Sequence, residues 1–181
     1  MSKLSPQTLS EKDRRLVAGW AADCAERVLG LFESELPQDD RPRNLIKRTR
    51  AFADGSANIA DEIRDRFKGG VGRSDVKSER AMAAARSAGQ AFAVAHMGAH
   101  ALGAAGYAVK AVRLANRDNP TVAVDEIQWQ VGHMTDEVRT ALKSLPMVGE
   151  NSSGPLGPGL LSKGEMGEIV RRIQEHITSE R

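Results

Sequence analysis

The sequence predicts an all-α protein: a single multi-helix bundle around a buried Ala/Gly-rich central helix pair, followed by a C-terminal linker and an extra amphipathic helix. Three observations carry this expectation. Alanine, arginine, glycine and leucine are the commonest residues and aromatics make up only 4%, with no window of Val/Ile/Thr alternation of the kind that marks a half-buried strand. The stretch between Arg86 and Lys110 holds no Asp, Glu, Lys or Arg in a chain that is otherwise 28% charged, and its larger side chains fall all round the helical wheel, as in a helix enclosed by others. Beyond Pro146 the chain turns rich in glycine and proline before a last amphipathic run.

The first helix is expected from the cap Ser10, with Glu11 and Asp13 in its first turn, to about Leu36 before Pro37. Leu16, Val17, Trp20, Ala21, Cys24, Val28, Leu31 and Phe32 form its apolar stripe, and Asp23 stands one turn from Arg27, an i,i+4 pairing distance. Asp40 and Pro42 open a second helix that runs to Ala53 and closes at Gly55, with Leu45, Thr49 and Phe52 inward. Ser56 is read as the cap of a short third helix carrying Ile59, Ile63 and Phe67.

After the loose Gly69-Gly70-Val71-Gly72, helical signal extends from Ser74 or Asp75 to about Asn116, a rod of ~60 Å at 1.5 Å per residue and too long to be covered. A kink at His96–Ala99 is therefore expected, dividing the rod into helices over roughly 75–97 and 99–115. Phe92, His96, His100 and Tyr107 share one face of the unbroken wheel. Asn119-Pro120 begins the next helix, with Val124, Ile127, Trp129 and Val131 inward, and Thr135 begins a short one that ends before Pro146. Met147 to Leu161 reads as an extended linker, and Ser162 with Glu165 as a capping box. The final helix places Met166, Ile169, Val170, Ile173 and Ile177 on one face. Residues 1–148 thus form the helical domain and 149–181 an appendage whose stripe either folds back or joins a second copy; a homodimer through it is the expectation.

Charge and composition bound the function. The net charge of +2, with signs interspersed, is too balanced for a nucleic-acid footprint. Arg41, Arg43, Lys47, Arg48 and Arg50 could hold phosphate, but Glu33, Glu35, Asp39 and Asp40 nearby favour a solvated, neutralised face. The apolar run has bilayer-spanning length, yet its alanines, glycines and two histidines argue against a membrane span. Cys24, the sole cysteine, rules out an intramolecular disulfide and a cysteine metal cluster, and falls on an apolar face where a thiol packs as a hydrophobe. No apolar segment of the secretory type follows Met1, so cytoplasmic residence is expected.

Few residues suggest chemistry. His96 and His100 stand four apart, the spacing for two imidazoles on one metal, with His133 as the available third ligand, but the Glu of a His-Glu-x-x-His arrangement is missing. Buried, hydrogen-bonded histidines account for the pair equally simply. Asp125 and Glu126 are adjacent and point apart, which is poor geometry for paired carboxylates, whereas Glu126, Trp129 and His133 line one helical face. No cofactor is called for.

Trp20-Ala-Ala-Asp-Cys-Ala-Glu-Arg-Val-Leu29, Asp39-Asp-Arg-Pro-Arg43 and Ala95-His-Met-Gly-Ala-His-Ala-Leu-Gly-Ala-Ala-Gly-Tyr-Ala-Val-Lys-Ala111 carry a family resemblance. Over about Leu9 to Leu145 the chain resembles the immunity-five-like family of putative immunity proteins, which are bacterial and all-helical. The resemblance implies non-catalytic binding of a cognate protein toxin, with no catalytic residues to carry over. It also draws attention to polar residues beside apolar stripes: Trp20, Asp23, Arg27, Arg41, Arg43, His96, His100, Tyr107, Trp129 and His133 could form one internal network or line a pocket. A helical enzyme or sensor for a metal or small molecule, built on His96, His100 and His133, is the alternative.

Overall fold

The computed structural model describes residues 4–65 and 68–179, so Phe67, expected on the third helix, lies outside the described residues. Among the described residues eight α-helices follow one another: α1 Glu11–Glu33, α2 Arg41–Asp54, α3 Ile59–Arg64, α4 Glu79–Ala93, α5 His100–Ala115, α6 Val122–Gly132, α7 Asp136–Lys143 and α8 Gly164–Ser179. No strand occurs among the described residues, and none of the helices there is long and apolar enough to cross a membrane.

Helix α5 lies at the centre. Every residue from Ala101 to Val109 is buried, with α4 and α1 on one side and α6 and α8 on the other. The expected kink is instead a full reversal. Helix α4 stops at Ala93 and α5 starts at His100, so that the two lie antiparallel, with the Ser87 hydroxyl donating to the Ala104 carbonyl at 2.7 Å. A run of alanines on both partners, including Ala84, Ala88, Ala91, Ala101, Ala104 and Ala108, closes the seam. Two amides at the start of α5 that have no partner within the helix are met from the N-terminal segment: Gly98 donates to Thr8 and Ala99 to Gln7, both at 3.0 Å. His96 and His100 consequently do not share a helical face, because His96 precedes the helix that His100 begins.

Several helix starts shift from their expected caps for local hydrogen-bonding reasons. Ser10 caps α1 as expected, its hydroxyl accepting from the Asp13 amide, and Thr135 caps α7. Asp40, by contrast, makes no side-chain cap; its neighbour Asp39 accepts from the Arg41 amide and holds the Arg41 guanidinium. Asn58, not Ser56, caps α3. Asp75 accepts from the Gly72 amide and closes a 3₁₀ turn over Arg73–Asp75, leaving Ser78 to cap α4. Asn119 turns the chain by accepting from both the amide and the hydroxyl of Thr121, so α6 starts after Thr121. The Ser162–Glu165 capping box is not made: Ser162 donates to the Gly159 carbonyl, and Glu165 pairs with Lys110 and Arg113 on α5.

The segment expected as an extended linker is folded. The Gly149 amide donates to the Leu156 carbonyl at 2.7 Å, and Leu156 and Leu161 are buried. Two buried glutamines hold it in place. Gln7 donates to the Ser153 carbonyl and accepts from the Leu156 amide; Gln174 on α8 donates to the Pro146 carbonyl and accepts from the Val148 amide.

Helix α8 lies against α5, α6 and α7 of its own chain, and Met166, Ile169, Val170, Ile173 and Ile177 are all buried there. Gly106 makes the approach to α5 close, since a Cβ at that position would stand 3.0 Å from Met166 Cε and 3.1 Å from Val170 Cγ2. The apolar stripe is thus consumed within one chain. The reason for expecting it to form a homodimer interface is removed, because no apolar face of α8 is left for a second copy.

Ile173 is fully buried, so Ile173→Ala is expected to lower unfolding stability by about 2–5 kcal/mol through lost transfer energy plus a cavity. Urea denaturation at low protein concentration checks this; an unchanged midpoint would mean that α8 does not cover α5.

Candidate functional site

The polar residues selected from the sequence do not form one network. They divide among four places, of which the contact between α1 and α6 is the most developed. Trp20 is buried and its indole N–H donates to the Gln130 carbonyl at 2.8 Å. Gln130, itself fully buried, donates to the α5 carbonyl of Ala105 at 3.1 Å and to the Glu126 carboxylate at 3.2 Å. Arg27 completes the group, its Nε and one terminal nitrogen reaching Glu126 at 3.1 and 2.9 Å. Glu126 is 3% exposed and Arg27 37%, so a carboxylate within the protein is held by a cation that reaches in from the surface.

The outer side of that cation meets aromatic rings. The Arg27 guanidinium lies 3.7 Å from the centroid of the Trp129 ring, and His133 stacks on Trp129 at 3.9 Å and 24° between planes. His133 is further fixed by a 2.8 Å contact between Nδ1 and the Trp129 carbonyl, one turn back. Trp129 is therefore half-exposed on the outer face of α6, not among the inward residues, while Ile127 and Val131 are buried as expected. The same i,i+4 geometry that stacks His133 on Trp129 sets Glu126 beside Gln130 on the inner side.

Asp23 does not pair with Arg27. It receives Arg50 of α2 at 2.9 Å, and Arg50 also reaches Glu26, so Asp23 joins α1 to α2. Arg41 binds Asp39 at 2.6 Å and Asp75 at 3.1 Å, while Arg43 binds Glu33. These contacts hold Asp39 and Asp75 below the usual carboxylate range, Asp39 chiefly through Arg41 and Asp75 chiefly through the Gly72 amide. With Arg48 on Glu62 and Asp65, all four arginines of the basic run are tied to carboxylates, which matches the neutralised-face reading.

His100 stands at the reversal between α4 and α5. Its Nδ1 lies 2.9 Å from the Gln90 amide oxygen, which Gly103 makes room for: a Cβ there would fall 2.2 Å from that oxygen. Burial, helped by the neighbouring His96, pushes the His100 pKa down to about 4. His133 belongs to the α6 stack, and among the described residues no group of three or more His, Cys, Asp or Glu side chains is placed to hold a metal ion. Tyr107 sits apart again, buried on α5 beneath Arg86, whose guanidinium carbon is 5.7 Å from the ring centroid. Gln130 and Arg86 were not among the residues selected from the sequence. Gln130 was legible only as the i+4 partner of Glu126, and Arg86 only as the charge that bounds the apolar run.

Residues 7–137 match the Imm-5 like putative immunity protein family. The match encloses α1 to α6 and ends at the first residues of α7, leaving the 147–161 loop and α8 beyond it. Neither curated proteins nor solved structures give a match.

Two outcomes are expected from these contacts. Arg27→Ala leaves the Glu126 carboxylate buried without its cation and should destabilise the fold by about 3–5 kcal/mol, whereas the double replacement Arg27→Met with Glu126→Leu should restore much of the loss; thermal and denaturant unfolding of the three variants checks both. His100 has a folded pKa below its ordinary 6.5, so between pH 6.5 and 4 the unfolded chain takes up a proton that the folded chain refuses. Stability is then lost as pH falls through that window, by about 2 kcal/mol at pH 5, and His100→Gln should flatten the slope. A wild-type urea midpoint that is constant from pH 7 to 5 would contradict this.

Proposed function

The chain belongs to the Imm-5 like putative immunity protein family, and from that premise we propose that it acts without catalysis, protecting its cell by binding a protein toxin. The observation that supports a binding surface in this molecule is the stack of Arg27, Trp129 and His133 on the outer side of α1 and α6. Tryptophan and arginine are the residue types that dominate interface energetics when a partner excludes water from them. Here both are ordered before any partner arrives. Glu126 anchors Arg27 from below, and the Trp129 ring is packed between a guanidinium and an imidazole, so little side-chain entropy remains to be lost on docking.

The competing reading, a metal- or small-molecule-dependent enzyme or sensor, requires His96, His100 and His133 to converge. His100 is engaged with Gln90 and His133 with Trp129, on different helices, so that reading has no assembled centre to support it.

The experiment is protection followed by affinity. Toxin domains are co-expressed with the chain, and one whose lethality the chain suppresses is purified and titrated against it by calorimetry. Trp129→Ala is expected to weaken that complex about 30-fold or more, the loss typical of a 2 kcal/mol hot spot, with far-UV circular dichroism unchanged. Suppression by wild type together with undiminished affinity of the variant would remove the stack from the interface. A chain that turns over a small molecule and protects against no toxin would overturn the reading itself.

A further inference from the structure

Tyr107 poses a problem that the binding surface on α1 and α6 does not explain. Its side chain is buried on α5, residue exposure being 2%, and its hydroxyl donates to no acceptor, since the neighbouring Arg86 guanidinium is itself a donor. A buried O–H left without an acceptor lowers stability, and phenylalanine would fill the same space without that cost. The hydroxyl is not an accident of a loose surface, since α5 is buried from Ala101 to Val109 and packs closely on α4.

Tyr107 is also a wall of two adjoining clefts. The smaller, about 80 Å³, is bounded by Arg73, Arg86 and Lys110 around Tyr107, with Glu79 at its edge. The larger, about 270 Å³, shares Arg86, Met82 and Tyr107 and continues along Val71 to Leu160. Charge in the smaller cleft is one-sided. Three cations face one carboxylate, and that carboxylate is drawn toward Arg117 at 3.6 Å. Lys110 is loosely held by Glu165 at 3.7 Å, whereas Arg73 and Arg86 form no ion pair among the described residues. This differs from α2, where Arg41, Arg43, Arg48 and Arg50 are each tied to a carboxylate.

We propose that the cleft over Tyr107 binds a small oxyanion, a carboxylate or phosphate group carried on a short apolar body, with the Tyr107 hydroxyl and Arg86 as donors and the Val71–Leu160 groove taking the apolar part. Each part of the ligand is matched by a part of the site. An oxyanion accepts from a phenolic O–H and from a planar guanidinium together, and charge-assisted bonds of this type are about twice as strong as neutral ones. Burial pushes the Tyr107 pKa up, with Arg86 only partly opposing, so the hydroxyl keeps its proton and remains a donor at neutral pH. The apolar body follows from Leu160, which is 59% exposed and one of the few large hydrophobic side chains left in water. Size sets the upper bound: an 80 Å³ headgroup cleft lies far below the ~300–1,000 Å³ of pockets that enclose drug-sized ligands. The site involves α4, α5 and the loops beside them, so it stands or falls separately from the toxin-binding reading.

The test is calorimetric titration of the full chain with sodium hexanoate and with n-butyl phosphate at constant ionic strength, which holds screening fixed. One or both should bind one-to-one with a Kd of about 1 mM or tighter, and the preferred probe identifies the headgroup class. Arg86→Gln and Tyr107→Phe should each weaken it about tenfold or more. Tyr107→Phe gives a second readout, because a variant that removes a buried hydroxyl without an acceptor should unfold at the same or a higher temperature than wild type while binding the anion less well. Saturable binding that both variants leave intact would place the anion elsewhere and overturn the proposal, as would the absence of saturable binding for both probes.

Discussion

The fold depends on the need to cover α5. A helix that is uncharged from His100 to Val109 and built there largely of alanine and glycine has no side to offer to water over that stretch, so it is stable only when neighbours enclose it. Small side chains make the enclosure tight but contribute little apolar area each, which leaves the energetics to the larger residues that the neighbours bring. Helix α1 supplies Val17, Trp20, Val28 and Phe32 on one flank, and α8 supplies Met166, Val170, Ile173 and Ile177 on the other. The reversal at residues 94–99 allows α4 to serve as one of these neighbours as well as the preceding segment of chain.

Enclosure creates a second requirement, since loops that cross a dry interior need partners for their backbone. Three buried glutamines meet it. Gln7 and Gln174 each use both the donor and the acceptor of a carboxamide to clasp the backbone of the 146–156 region, and Gln130 uses its amide nitrogen to join the Ala105 carbonyl to the Glu126 carboxylate. Glu126 is the charged counterpart of these joints, and its cation arrives from outside. That asymmetry couples core to surface: the residue that neutralises the buried carboxylate is the same one that orders Trp129 and His133.

The helices were legible from periodicity because nearly every one has a continuous stripe, and α8 was as plain in the sequence as α1. Its destination was not, since a stripe of isoleucines states that something must cover it and says nothing about which chain provides the cover. The same limit explains the polar residues. Asp23 and Arg27 stand at pairing distance along α1, yet each is claimed by a partner far away in sequence, Arg50 and Glu126, through contacts that local spacing does not encode. Caps were misplaced where two candidate oxygens stood within a few residues of each other, as with Asp39 against Asp40 and Ser56 against Asn58. His96 and His100 shared a face only on an unbroken helix, and the break removed that face.

The order in which the helices appear along the chain gives the late position of α8 a consequence for synthesis. A ribosome adding about 5–20 residues per second delivers α1 to α7 a few seconds before α8 emerges. During that interval the flank of α5 around Gly106, together with the parts of α6 and α7 that α8 will cover, faces solvent or a chaperone, and the Gln7 carboxamide waits for Ser153 and Leu156. Until α8 arrives the nascent protein is therefore an incomplete container, and a chain cut short before α8 leaves that flank of α5 open.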